Sequence, residues 1–161
     1  MLMVVVVLAI LSVGIAQFGV FFAKAQQVAL AARVGAAKAS QIALPETPDS
    51  INGVPDDVRD AIQHQLGSSG MQWCHIRLEH NATASNDTVI LAADFGEACE
   101  CPPKTELTSS PASNTSYVRL TVCVPLSQVF PKQLSYFGDS LFAGTKTYEH
   151  TVVFRYEMSG P

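Results

Sequence analysis

The chain begins with two helix-favouring segments of opposite character, and no helix breaker separates them. Residues 1–22 are almost entirely apolar, and Ser12 and Gln17 are the polar exceptions. At 1.5 Å per residue this run is about 33 Å long, close to the hydrocarbon thickness of a bilayer. The valines at 4–7 lower helix propensity in water, but in lipid only a helix lets a single segment satisfy its own backbone hydrogen bonds. The pattern predicts a membrane-spanning helix.

Residues 23–44 continue the helix with an alanine-rich sequence that also carries basic and amide side chains. Small or apolar residues recur every three or four positions, at Val28, Ala31 or Ala32, Gly35, Ala39 and Ile42. Such a stripe is typical of a helix that packs on a sheet. Pro45 is expected to end the helix, because the residue before a proline disfavours the α region. Together the two segments predict one helix roughly 65 Å long.

A cleavable signal peptide and a plain membrane anchor are the alternative interpretations of this segment. Gly14 and Ala16 provide the small residues needed for cleavage before Gln17. However, no basic region precedes the apolar run, and apolar residues continue through Phe22. A plain anchor would have the same topology without an assembly role.

The basic residues near the helix bear on its orientation. Lys24, Arg33 and Lys38 follow the apolar run and no basic residue precedes it. The positive-inside rule, applied literally, would place the rest of the chain in the cytoplasm. We favour the hypothesis that the natural product begins a few residues upstream of Met1 with a short basic leader, which reconciles the rule with an exported domain.

The second part of the chain, residues 45–161, is expected to form one exported domain, because about 117 residues leave little room for a second. From Glu46 onward, 14 acidic residues face seven basic ones. Such an acidic segment without a basic stripe makes nucleic acid an improbable partner.

Four cysteines lie in this domain, at Cys74, Cys99, Cys101 and Cys123. An even number in an exported chain favours two disulfides. We expect Cys74 and Cys123, which lie on predicted strands, to be joined to the loop that holds the other two. Free thiols and a metal site that also uses His75 are the alternatives, although a CxC spacing is not the CxxC pair of structural zinc sites.

Hydrophobic periodicity predicts one short helix and four strands after residue 44. The helix is expected at 55–66, with Gly67 placed to terminate it. The alternating segments that predict strands are 71–79, 88–93, 117–124 and 145–157. Residues 94–115 are expected to form a loop, and the apolar connection 126–144 either packs on the sheet or exposes an interaction patch. The predicted fold class is α+β: a long N-terminal helix (residues 1–44) packed on a small antiparallel sheet of about four strands.

The sequence offers little catalytic chemistry. Paired carboxylates, a nucleophile elbow, a phosphate-binding glycine loop and histidine-rich metal spacing are all lacking. Asp56 and Asp57 are better explained as charges at a helix start. We therefore expect no enzymatic activity, no cofactor or metal, and no small-molecule substrate.

Three short elements of the first helix carry a family resemblance. They are Gln17-Phe18-Gly19, the aromatic pair Phe21 and Phe22, and Arg33-Val34-Gly35-Ala36. In this region the chain resembles TadE-like proteins, the minor pseudopilins of tight-adherence pilus systems, which show an acidic-Phe-Gly element, an aromatic pair and an Arg-x-Gly-Ala pattern. Gln17 stands where those proteins have an acid. Residues 118–157 resemble the family's closing strands more weakly, and the middle of the chain is unmatched.

The resemblance implies a pilin-like subunit of a bacterial inner membrane, crossing it once, with the second domain outside the cytoplasm and possible incorporation into a surface pilus. Its expected partners are membrane lipid, other pilin or pseudopilin subunits and the pilus assembly machinery. The residues expected to form the membrane and assembly helix are Leu2, Leu8, Leu11, Gly14, Ala16, Gln17, Phe18, Gly19, Phe21 and Phe22. The residues expected to matter in the stem that follows are Val28, Arg33, Gly35 and Ala36.

The rival hypothesis is a single-span anchor that displays an acidic binding domain and has no filament role. Its contact surface would consist of residues 137–142 and the 94–115 loop.

Overall fold

The protein is an α+β domain built on one long helix. The computed structural model describes residues 2–42, 53–80, 89–96, 99, 101, 117–130 and 146–155. The elements in chain order are α1 (Leu2–Ala39), α2 (Asp56–Gly67), β1 (His75–His80), β2 (Val89–Asp94), β3 (Tyr117–Pro125), α3 (Leu126–Val129) and β4 (Thr147–Arg155). The strands form one antiparallel sheet in the order β2-β1-β3-β4. This architecture confirms the fold class expected from the sequence.

The helix α1 is 38 residues long and ends at Ala39, so the expected end at Leu44 was wrong. The hydroxyl of Ser40 donates a hydrogen bond to the carbonyl oxygen of Ala37 at 2.8 Å. The next backbone bond, from Gln41 N to the carbonyl oxygen of Lys38 at 3.1 Å, is the shorter three-residue type that tightens a helix end. The helix therefore closes before Pro45, which lies outside the described residues.

The second half of α1 forms the centre of the core. The expected stripe is buried at Val28, Ala31, Ala32, Gly35 and Ala39 and half-buried at Ile42, and Ala36 is buried as well. This stripe packs on α2, which buries Val58, Ile62 and Leu66, and on β3 and β4 of the sheet. The small side chains of α1 allow both α2 and the sheet to approach its backbone.

At Gly35 both α2 and β3 come close to the backbone of α1. A Cβ atom at this position would lie 2.6 Å from Cγ1 of Ile62 and 2.7 Å from Cδ2 of Leu120. Both distances are too short for non-bonded carbons, so the backbone of α1 can touch α2 and β3 together only because Gly35 has no side chain.

The helix α2 ends at Gly67, one residue later than expected, and the turn that follows it explains where β1 begins. Gly67 is the last helical residue, and Gly70, with φ of 68°, is the residue that turns the chain. The bonds from Met71 N to Leu66 O and from Gly70 N to Gly67 O form the glycine-terminated helix end known as a Schellman motif. Residues up to Met71 therefore belong to the end of the helix. The strand expected from residue 71 begins only at His75.

The inner face of the sheet is the apolar row expected from the alternation. Leu78 of β1 lies opposite Leu120 of β3, which in turn lies opposite Val152 of β4. Leu78 and Leu120 are fully buried, whereas Val152 is only half-buried because β4 is an edge strand. The last strand was expected to begin at residue 145, but β4 begins two residues later, at Thr147.

Substituting Gly35 with leucine should destabilise the domain. Overpacking at this contact is expected to lower the free energy of unfolding by about 3 kcal/mol. This cost exceeds the roughly 1 kcal/mol that leucine gains over glycine in helix propensity. Thermal unfolding of the detergent-solubilised protein, followed by the fluorescence of Trp73, measures the change. Gly14→Leu is the matched control, because nothing lies within 4 Å of a Cβ there. Equal melting of the two variants would contradict the close-packing role.

Candidate functional site

The first half of α1 projects from the domain as an exposed apolar segment. Among the described residues, α1 is the helix that is long and apolar enough to cross a membrane, and its most apolar stretch is entirely unburied. The exposed large side chains of this half include Leu8, Leu11, Phe18 and Phe22. A soluble protein rarely exposes so large a contiguous apolar surface, so the geometry supports a membrane anchor.

The residues expected to mediate assembly lie on different sides of this segment. Gln17 lies eighteen residues before Gly35, which at about 100° per residue places it on the side of α1 that faces the domain. Gly19 lies about 160° around the axis from Gly35 by the same geometry. A Cβ atom would have open space at both Gly14 and Gly19. Ala16 is exposed, and Gly14 and Gln17 are half-buried.

Aromatic contacts and a hydrogen bond join the exposed apolar segment to the domain. The ring of Phe21 lies 4.5 Å from that of Phe130 and 6.4 Å from that of Tyr148, measured between centroids. One turn later, the ammonium of Lys24 donates a hydrogen bond to the carbonyl oxygen of Gln128. Packing between α1 and the domain therefore begins at Phe21, within the apolar run itself.

The stem residues are held by further contacts on α2. Gln65 Nε2 donates a hydrogen bond to Gln27 Oε1 at 2.9 Å. Val28, Gly35 and Ala36 are buried, whereas Arg33 is exposed on the outer side of α1. Of the Arg-x-Gly-Ala element, the glycine and alanine are thus explained by packing, and within the part of the chain that the structure describes the arginine forms no hydrogen bond or ion pair.

The apolar connection after β3 was expected either to pack on the domain or to expose an interaction patch. Its first residues pack on the domain. The short helix α3 buries Val129, and Phe130 lies against α1. The later part of the connection, including residues 137–142, lies outside the described residues. The same is true of most of the 94–115 loop.

The outer face of the sheet holds a buried charge cluster that the sequence analysis missed. Glu79 is only 1% exposed, although its place opposite the core suggested a solvent-facing position. Its Oε1 lies 2.7 Å from Nε of Arg77, an ion-pair contact with an angle unsuited to a hydrogen bond. Its Oε2 accepts from Arg119, its cross-strand neighbour on β3. The available signal was the Arg-x-Glu spacing on one strand face.

The four cysteines form two disulfides, Cys74–Cys99 and Cys101–Cys123. Cys123 on β3 and Cys74, one residue before β1, are each joined to the segment holding the other two, as expected. The structure adds which cysteine pairs with which. The Cα atoms of the two bridges are 5.9 Å and 6.1 Å apart. The alternatives of free thiols and thiolate metal ligands are set aside, because all four sulfurs are bonded to one another.

The disulfides lie together at one end of β1 and β3. The backbone N–H of Cys74 donates to the carbonyl oxygen of Cys123 at 2.9 Å. A carboxylate oxygen of Glu149, the cross-strand partner of Cys123, lies within 4.8 Å of Sγ of Cys101 and Cys123. His75, named above as a possible ligand, instead pairs with Asp94 through an Nδ1–Oδ1 distance of 2.6 Å.

These elements define a small disulfide-bonded α+β domain carried on a helix able to cross a membrane. No protein-family model, no curated protein and no solved structure matches the chain. The TadE-like resemblance thus stays a prediction, and function has to be argued from the helix and the domain.

Removing the charge of Glu79 should destabilise the domain strongly. Glu79→Gln leaves Arg77 and Arg119 without their anion, and we expect a loss of about 3–5 kcal/mol in the free energy of unfolding. Asp56→Asn is the control, since it breaks an exposed ion pair with Arg59 on α2 that contributes about 0.5 kcal/mol or less. Denaturant unfolding measured by Trp73 fluorescence compares them. Similar losses of unfolding free energy in both variants would show that the buried cluster contributes no more stability than an exposed ion pair.

The pairing of the disulfides can be tested by removing cysteines in matched and crossed pairs. Cys74→Ala with Cys99→Ala should leave no free thiol and should lower stability by about 3.5 kcal/mol, from the closure of a loop of 25 residues. Cys74→Ala with Cys101→Ala should leave both remaining cysteines titratable by a thiol reagent under denaturing, non-reducing conditions. An unreactive crossed variant would contradict the pairing.

Proposed function

We propose that the protein is a minor pilin or pseudopilin subunit of a tight-adherence-type pilus, anchored by α1 and assembled through helix–helix packing. The observation that carries this proposal is the division of one continuous helix. Its second half is the centre of a folded domain, while residues 3–20 protrude from that domain and contact none of its elements closely enough to be buried. A helix of this form suits a subunit that must exchange lipid for neighbouring helices.

The energetics of the exposed half require such an environment. Burying a large apolar side chain is favourable by about 1.5–3 kcal/mol, so the dozen or so such residues before Lys24 represent on the order of 20–40 kcal/mol. Water is therefore excluded as a lasting environment for this segment. Lipid provides the burial before assembly, and the equivalent helices of other subunits provide it afterwards.

Small residues supply the contact surface for neighbouring helices. Gly19 lies on the side of α1 turned away from the domain, where another helix can approach without meeting the sheet. Glycine allows two helix backbones to come close, and an amide such as Gln17 can donate a hydrogen bond between helices in lipid. Ala16, about 60° from Gly19 around the axis, extends the same surface toward the N-terminus, whereas Gly14 lies about 140° away from Gly19 on another side of the helix.

The domain chemistry supports an extracytoplasmic location. Two disulfides in so small a domain are typical of an oxidising compartment. With α1 in the bacterial inner membrane, residues 45–161 then lie on its outer side, in position to be drawn into a surface filament. The acidic character of this part keeps it soluble and disfavours nucleic acid as a partner.

Substituting Gly19 with leucine should impair assembly while the domain still folds. The added side chain points away from the domain into open space, so it obstructs only a neighbouring helix. Filament yield from cells, together with Trp73 fluorescence of the purified protein, separates assembly from folding. Gly19→Ala is the matched control and should assemble nearly normally. Normal filament formation by the leucine variant would show that Gly19 has no role in packing against neighbouring helices.

Site-specific cross-linking distinguishes the pilin from a displayed binding domain. A photo-reactive residue at Ile15 or Phe18 should form products with pilin subunits through their helices. A display anchor would give cross-links to a partner only from positions on the domain. Products from the domain alone would favour the anchor without a filament role.

A further inference from the structure

We propose that the end of the domain nearest the membrane rests in the lipid headgroup layer and binds it directly. We call this end the basal face and define it as Leu126–Phe130 and Lys146–Tyr148. The inference rests on the membrane anchoring in the proposed function and goes beyond it, because an anchor fixes only the helix and leaves the contact of its domain open.

The first step is the absence of a linker between the apolar segment and the domain within α1. The helix runs unbroken from Leu2 to Ala39. Phe21 packs on Phe130 and Tyr148, and Lys24 bonds to Gln128. The basal face is therefore attached to the helix at the level where the apolar run ends. The face and the helix therefore move as one body.

The second step compares lengths. The 20 residues from Met3 to Phe22 rise about 30 Å, which matches the hydrocarbon thickness. Each headgroup layer adds about 5–8 Å beyond the hydrocarbon. Lys24 lies only about 3 Å beyond Phe22 along the axis, so it falls inside that layer. The part of the domain bonded to Lys24 must lie there as well.

The third step is the chemistry of the basal face, which suits that layer. Phe22 is exposed beside Phe21, and the rings of Phe130 and Tyr148 are half-buried at the same level. Tyr148 is the residue type that concentrates at membrane interfaces, because its ring is apolar and its hydroxyl is polar. The phenylalanines beside it supply apolar surface at the same level. Lys146 is exposed next to α3, because its carbonyl oxygen accepts from the backbone N–H of Leu126 at 3.0 Å. An exposed ammonium at this level can pair with a lipid phosphate.

Further hydrogen bonds hold the basal face rigidly to the rest of the domain. The backbone N–H of Gln72 donates to Oε1 of Gln128 at 2.7 Å. Gln128 thus connects α1 with the segment before β1. The backbone N–H of Phe130 bonds to the carbonyl oxygen of Leu126 at 3.0 Å and closes α3. A preformed face of this kind binds lipid without first having to become ordered.

Depth-dependent quenching tests the proposal in the full-length protein. In a Trp73→Phe background, a single tryptophan is placed at position 22, 130 or 153 and the protein is reconstituted into phosphatidylcholine vesicles. The lipid is brominated near the glycerol end of its acyl chains. Position 153 is the control, because Val153 is exposed on β4 about 20 Å from the strand end at Thr147.

The expected result is strong loss of emission for Phe22→Trp and Phe130→Trp and no loss for Val153→Trp. Quenching at position 22 with none at position 130 would overturn the basal-face contact and leave the anchored helix intact. No quenching at position 22 would overturn membrane anchoring itself. If Phe130→Trp fails to fold by circular dichroism, Tyr148→Trp reports on the same face with the same expected result.

Discussion

The continuity of α1 is the constraint on which the rest of the structure depends. One helix serves two environments: an apolar half that has no stable place in water and an alanine-rich half that is the centre of a folded core. Since every turn between them keeps its backbone hydrogen bonds, the two halves move as one body. The orientation of the domain is therefore set by the orientation of the helix, and burial of the first half fixes where the second half lies.

Small residues have two different roles along this helix. Gly35 is required inside the domain, where α2 and β3 both touch the helix backbone. Gly19 is surrounded by open space on the opposite side, and its use depends on another molecule. The same residue type thus supports folding at one position and association at another. The distinction follows from what each would-be side chain meets, which a list of glycines in the sequence does not reveal.

Two other features stabilise the sheet where the hydrophobic core does not reach. The carboxylate of Glu79 is enclosed by Arg77 and Arg119, so the outer face is held by paired charges at a site where an unpaired one would be costly. The disulfides fix the segment around Cys99 and Cys101 to the end of β1 and β3, at the end of the sheet from which α3 follows. The end of the domain that faces the apolar helix is thereby covalently reinforced.

Patterns along the sequence were enough to predict the long helix, the four strands and the joining of Cys74 and Cys123 to the segment that holds Cys99 and Cys101. The helix and the strands follow from local periodicity and from the length of the apolar run, and the bridges follow from an even number of cysteines in an exported chain. The sequence left open which cysteine pairs with which. The end of α1 at Ala39, the burial of Glu79, the contact of Phe21 with Phe130 and the pairs Cys74–Cys99 and Cys101–Cys123 became visible only in the folded structure. The physical reason is distance along the chain: the bond from Lys24 to Gln128 joins residues 104 positions apart, and no local pattern records which remote segment will meet a given side chain. Periodicity assigns a face to each residue, but the partner on that face is chosen by packing.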